Sequence, residues 1–480
     1  MHKFSGLVLA TFGSVFSLTL APLAQAETLA DVIRKVYQTN PQLLALREQV
    51  LAQTETYAQA RAGWRPSVAA NGVYSHESTG PTSYNTQGFP SPFNTSNATI
   101  SVSQPLYTGG RALAAVQEAR RSVMAGQERL RSSEQAILQS AATAYSDLLM
   151  YQKLVVVTRE SVGVLRRQLE QTRAQFKAGD ATRTDVAQAE SRVASGEADF
   201  SGRVAQLAIA RANYQSIVGS EPEALQPEPP LGGYLPRTVD EAFTLAEQFS
   251  PDISSAKQQS LSSEAAVAAA RAQQRPYVAL QGSVGGGASV GKDGSPFKDY
   301  STQVVGSVNV NIPLYSGGAV LSQVRQATHL HNADVIQIES QRRSTVYQVA
   351  EAWNRIQLAI ASERAYTKQV DAARIAAEGA RQEEQAGYRE TIEVLNAQLE
   401  LRNAEVNLAQ SRHDQFVGQV ALLARMGRLD LDVLAPGTPR TDTDKALRKA
   451  GRQMGWVPWE SGVGLIDHLG APSIPSAHKP

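Results

Sequence analysis

The sequence predicts a mainly α fold with a small membrane β component, built as one half-molecule used twice. Three observations predict it: an internal duplication, two long proline-free helical stretches, and paired short segments in which polar and apolar residues alternate.

The duplication comes first. Gln104 to Arg111 reads Q-P-L-Y-T-G-G-R, and Ile312 to Ala319 reads I-P-L-Y-S-G-G-A, 208 positions later. The register then holds without a gap: Ala144-Tyr145 meets Ala352-Trp353, Ala178-Gly179 meets Ala386-Gly387, Asp185-Val186 meets Glu393-Val394, and Gly219 meets Gly427. Upstream, Arg65-Pro66 answers Arg275-Pro276 at an offset of 210. The expected organisation is a first repeat over 27–220, a Pro-rich linker over 221–237, a second repeat over 238–428 and a loosely ordered polar tail over 429–480.

Residues 1–26 have the form of a signal peptide: Lys3, an apolar run from Gly6 to Leu20, and Ala24-Gln25-Ala26 as the cleavage site, with the mature chain starting near Glu27. Cysteine is absent, which excludes disulfides, thiol catalysis, Cys-ligated metals and lipid attachment at a cysteine. Net charge is +1, from 46 basic and 45 acidic residues, so nothing global attracts nucleic acid. Aromatics make up only 6%, a composition that suits slender helical seams over a thick core.

In each copy the expected order is helix, strand, loop, strand, long helix, turn, helix. The first helix is expected from Thr28 to Ala62, stopped by Gly63-Trp64-Arg65-Pro66 because proline cannot extend it. Ile100 and Val102 then alternate with Ser101 and Ser103, and Val308, Val310 and Ile312 with Ser307, Asn309 and Asn311, giving strands with one apolar face. His76 to Ser96 and Gly285 to Tyr300, rich in Gly, Ser and Asn, read as exposed loops. Pro105 with Gly109-Gly110, and Pro313 with Gly317-Gly318, mark the strand-to-helix junctions. From Arg111 to Phe176 and from Ala319 to Gln385 no proline occurs, and such helices would each span roughly 100 Å at about 1.5 Å per residue. Gly179 and Gly387 end them, and second helices follow near Thr182 to Val218 and Arg389 to Met426; short turns between long helices imply antiparallel pairs.

Four strands cannot close a membrane barrel, since open edges leave backbone groups unpaired in lipid. Three copies pooling their strands would give twelve, with the helices gathered into a tube. At this point the chain resembles the TolC family of outer-membrane efflux ducts, through the paired P-L-Y-[TS]-G-G junctions, the duplication, and G-Y-R-E-T-I-E-V-L-N-A at Gly387 to Ala397. The resemblance implies a homotrimer with a twelve-stranded outer-membrane β-barrel continued by a periplasmic α-barrel, and a periplasmic adaptor and inner-membrane transporter as partners. It implies no cofactor.

The resemblance also implies an entrance at the periplasmic end that is lined by acids and held shut by polar contacts. The first acidic ring falls on Glu393 and the second on Asn396; the latch arginine falls on Arg389, its partners on Thr184 and Asp185, and the assisting tyrosine on Glu384, with Tyr388 one turn on as a substitute. Gly179 and Gly387 become the tips that touch the adaptor. From the residues alone, Arg389, Glu393 and Asn396 at i, i+4 and i+7 share a helical face, while Asp185 and Glu393 equally suit the first turn of a helix, where negative charge is favoured.

Other candidates are weaker. His329 and His331 point to opposite sides of a helix, the Gly282 to Gly287 run has no phosphate-loop lysine, and Glu383-Glu384 reads as solvated helix surface. No nucleophile, base and oxyanion site assemble, so the chain is not read as an enzyme. Two functions remain: a gated export conduit, and a structural or adhesive trimer displaying its loops on coiled coils. The first is favoured, because an adhesin gathers its strands at one terminus whereas here each of two long helices is preceded by a hairpin.

Overall fold

The computed structural model describes residues 26–77, 93–291, 300–440, 443–453 and 457–469. The expected signal peptide lies outside them except for Ala26, as do residues 78–92 and 292–299 of the expected loops.

The first copy comprises α1 (Leu29–Thr39), α2 (Pro41–Arg61), β1 (Ser67–Glu77), β2 (Phe93–Tyr107), α3 (Arg111–Ala178) and α4 (Arg183–Val218). The second comprises α5 (Val239–Phe249), α6 (Pro251–Ala272), β3 (Tyr277–Gly291), β4 (Ser301–Asn311), α7 (Ala319–Gln385) and α8 (Thr391–Arg425). Beyond it lie α9 (Leu431–Leu434), α10 (Thr443–Gln453) and α11 (Glu460–Leu469). No described helix is apolar enough to cross a membrane.

The single opening helix expected up to Ala62 is two helices. Asn40 takes an extended conformation and accepts a hydrogen bond from the Leu43 N–H at 3.1 Å, while Pro41 occupies the first helical position, where its missing N–H is not needed. The second copy repeats the break at Ser250-Pro251.

The strands form one antiparallel sheet in the order β1-β2-β3-β4. Ser67 lies opposite Ser103, and Tyr277 opposite Asn311, so the two hairpins obey the same offsets of 210 and 208 as the sequence. Residues directly opposite share a face. One face carries Val68, Ile100, Val102, Leu280, Val284, Val304, Val308 and Val310, all exposed; the other carries mainly Ser, Thr, Asn and Gln, with Val73, Tyr277 and Val305 among the exceptions. Gly285 to Gly291, expected as loop, belongs to β3. Gly285 lies so close to β2 that a Cβ on it would sit 2.5 Å from the Ala98 carbonyl oxygen, so its lack of a side chain permits the pairing.

At the first junction Gly109 has φ +70°, and a Cβ there would lie 2.7 Å from the Cβ of Arg275. Gly110, Gly317 and Gly318 share the left-handed conformation. Past these turns α3 and α7 run for 68 and 67 residues. They pack against α4 and α8 respectively, with α6 lodged between α3 and α7.

The main core lies part-way along the long helices, where Tyr145, Tyr214, Leu148, Val349, Leu422 and Leu423 are buried. The Tyr145 hydroxyl donates to the Glu27 carbonyl at 3.1 Å, and the Tyr214 hydroxyl to the Glu27 carboxylate at 2.9 Å. Glu27 also pairs with Leu225, which ties the start of the described chain to the Pro-rich linker.

The described part of the tail differs from the loose segment expected. Leu429, Leu431, Leu434 and Ala435 complete the main core, α10 packs on α2, and α11 packs on β2 and α3. Polarity concealed this, because two carboxylates of the tail find partners: Asp467 is fully buried, and Glu460 sits between Arg61 and Arg65.

A candidate aperture at the helix tips

Far from the sheet, α3 turns into α4 and α7 into α8. Gly179 and Gly387 take φ of +91° and +78° and close the two long helices. A Cβ on either would meet nothing within 4 Å among the described residues, so both turns are open to their surroundings at these positions.

The two second helices begin differently. Thr182 caps α4: its hydroxyl accepts from the Asp185 N–H at 3.2 Å, and the Asp185 carboxylate accepts from the Thr182 N–H at 2.8 Å. This reciprocal box satisfies two otherwise orphaned donors. Thr184 beside it is exposed. In the second copy the cap position is Glu390, whose side chain makes no capping bond, and Arg389 lies ahead of α8 rather than on its face.

Within the single chain, Arg389 is held by neighbours of its own copy. Its Nε lies 2.7 Å from Glu383 and 3.2 Å from Glu393. The contact expected with Asp185 or Thr184 is not made within one protomer, where Asp185 is engaged by Thr182. Asn396, in the place expected for a second acid, accepts a hydrogen bond from Arg192 of α4 at 3.0 Å. The two copies therefore touch through α4 and α8, and Arg402 to Asp199 repeats the link further along. Leu169, Ala189, Val193 and Leu395 form a small apolar core behind them.

Glu384 corrects the reading of Glu383-Glu384 as solvated surface. It is only 6% exposed. Its carboxylate accepts from Gln168 Nε2 at 2.6 Å, Gln171 Nε2 at 3.3 Å and the Thr391 hydroxyl at 3.0 Å. One carboxylate thus binds α7 to α3 and to the start of α8. Tyr388, the expected substitute for the tyrosine, is 87% exposed and touches none of these groups among the contacts described. Gln168, Gln171, Thr391 and Arg192 escaped sequence reasoning as site residues, whereas Glu383, 51% exposed, is the solvated surface expected of it. A partial signal existed for Glu384, whose place on the α7 seam repeats the spacing of buried Ala373, Ala377 and Ala380.

The arrangement holds helices together and leaves Arg389, Glu383 and Glu393 as substantially exposed charges at the tip. His331 packs on the Ser260 carbonyl of α6 at 3.2 Å, while His329 is exposed, so the two do not converge.

Comparison with known proteins agrees with this architecture. The sequence model of the outer membrane efflux protein family matches residues 32–220 and 243–428. The chain is 30% identical over 411 residues to the outer membrane efflux protein BepC of Brucella suis, covering 86% of this chain and 88% of the relative. It is 28% identical over 340 residues to the alkaline protease secretion protein AprF of Pseudomonas aeruginosa, covering 69% and 70%. The crystal structure of the outer membrane protein VceC of Vibrio cholerae superposes with a TM-score of 0.71 at 22% identity, covering 83% of this chain and 96% of that one. With both repeats matched and the duplicated sheet-and-rod fold shared, the chain belongs to the outer membrane efflux protein family.

Proposed function

We propose that three copies of this chain close a twelve-stranded barrel in the outer membrane, continued by a periplasmic helical tube, and that the assembly is a passive conduit gated at the helix tips. The observation that carries this is the sheet: four strands, one apolar face, and two open edges at β1 and β4. In lipid such edges are costly and closure satisfies them.

The duplication supports one way for the edges to meet. Shifting the Ile100 to Val284 pairing by the two offsets sets Val308 of β4 opposite Tyr74 of the next chain's β1, and Asn309 opposite Val73. The tips, with Glu393 exposed on each chain, would then ring one axis, where clustered carboxylates attract cations. Gly179 and Gly387 face a periplasmic adaptor, and an inner-membrane transporter supplies the energy. That part rests on family membership, in which efflux and protein secretion both occur among the named relatives. No catalytic role is proposed.

The pairing is tested with Asn309→Cys combined with Val73→Cys, in a chain that otherwise has no cysteine. Oxidation should yield a covalent three-chain band from the double variant alone. Monomers throughout would remove the closure.

A further inference from the structure

The last described helix is built inside out. On α11, Val463, Gly464 and Asp467 are buried and Glu460 nearly so, whereas Ser461, Gly462, Leu465 and Ile466 are exposed, the last two at 68% and 48%. Both sets recur at helical spacing, so one face carries the two carboxylates and the opposite face the aliphatic pair. Contact with water would favour the reverse.

The helix cannot roll to hide Leu465, because its carboxylates are fully engaged. Asp467 accepts from the Thr108 N–H at 2.8 Å, the Gly110 N–H at 3.1 Å, the Thr108 hydroxyl at 2.7 Å and Trp64 Nε1 at 3.3 Å. Glu460 accepts from Arg61 Nε at 3.0 Å and Arg65 Nη2 at 2.7 Å. Buried carboxylates with this many donors hold their orientation.

The sheet register locates the helix. Trp459, just ahead of α11, donates through Nε1 to Gln104 Oε1 at 2.9 Å. Gln104 lies opposite Leu280, on the apolar outer face of the sheet and at its junction end. The duplication offers a comparison within the same chain: the residue answering Gln104 is Ile312, which is 55% exposed. One junction presents an isoleucine to its surroundings; the other presents a glutamine, buried beneath a helix whose outer side is apolar.

We propose that α11 is an interfacial membrane anchor, with Trp459, Leu465 and Ile466 seated at the boundary between acyl chains and headgroups in the periplasmic leaflet, where Ile312 meets lipid at the second junction. Arg448 and Lys449 are exposed on the last turns of α10, whose end is tied to the same corner by Arg61 Nη1 donating to the Gly451 carbonyl at 2.6 Å. Their charge fits anionic headgroup phosphates, and an aromatic beside aliphatic residues suits this depth. The inference rests on the barrel reading above.

The test uses the full-length protein reconstituted into vesicles of phosphatidylethanolamine and phosphatidylglycerol, with a nitroxide on a single cysteine: Leu465→Cys, Val304→Cys on the barrel, or Tyr388→Cys at the tip. Oxygen collects in the acyl region and a nickel chelate stays in water. The Leu465 label should match Val304, with high oxygen and low chelate accessibility, while Tyr388 shows the opposite. Chelate access at Leu465 as at Tyr388, or shielding from both reagents by a neighbouring chain, overturns the anchor while a lipid-exposed Val304 leaves the barrel intact. Chelate access at Val304 overturns the barrel and the anchor with it. Replacing phosphatidylglycerol by phosphatidylcholine should move the Leu465 label outward and leave Val304 in place; an unchanged depth overturns the role of Arg448 and Lys449.

Discussion

Gln168 of α3 donates a 2.6 Å hydrogen bond to Glu384 of α7, and this buried pair joins the two copies at the tip. Removing the acceptor strands donors on Gln168, Gln171 and Thr391, and a buried unsatisfied donor costs about 1 to 3 kcal/mol. Glu384→Ala should therefore loosen the tip and raise single-channel conductance above that of the parent. Unchanged conductance would show that this bond does not hold the aperture.

Arg389 lies between Glu383 and Glu393 with all three side chains substantially exposed, so each pair contributes less than ~1 kcal/mol. Its expected effect is on the charge presented at the tips. Arg389→Ser should leave thermal stability nearly unchanged while deepening block by divalent cations from the periplasmic side, because Glu393 loses its neutralising partner. Glu393→Ala should relieve the block. Equal block in both variants would place the cation site elsewhere.

Thr182 and Asp185 start α4 through their reciprocal bonds. Thr182→Ala should cost about 1 kcal/mol and speed hydrogen exchange at the amides of Thr184 and Asp185, whereas Thr182→Ser keeps the cap. Identical exchange in all three proteins would deny the cap a role.

His413 joins α8 to α3, with Nε2 2.7 Å from Asp147 and Nδ1 3.0 Å from Asp414. Burial works against its charge, but the hydrogen bonds to Asp147 and then Asp414 outweigh this and raise its pKa above the ordinary 6.5. A raised folded value means the stabilisation is fully present below about pH 6.5 and is lost as pH climbs through the raised value. The difference in melting temperature between the parent and His413→Gln should accordingly be largest in mild acid and shrink toward alkaline pH. A gap that widens with pH would reverse the sign.

Much of the fold was legible because the chain states it twice. Gln104 to Arg111 and Ile312 to Ala319 fixed both junctions, and the two-residue alternation around Ile100 and Val308 fixed the outer face of the sheet. Asn40-Pro41 was missed because a break that re-caps at once leaves the apolar rhythm of α1 and α2 unbroken. Gly285 to Gly291 looked like loop because glycine marks both turns and close strand contacts. At the tip, Gly179 and Gly387 end the long helices and Asp185 and Glu393 lie in the first turns of α4 and α8, positions readable from the sequence, but the acceptor role of Glu384 depends on Gln168 and Gln171, 216 and 213 residues away. Only packing brings these together. The docking of Asp467 onto Thr108 was invisible for the same reason.

Single-channel recording of the purified protein in a planar bilayer, paired with its mass in detergent, decides whether three copies of the chain form a conduit. Discrete conductance steps are expected from a species of three-chain mass, with larger steps from Glu384→Ala. A species of one-chain mass, or a three-chain species that inserts without conducting, would contradict this.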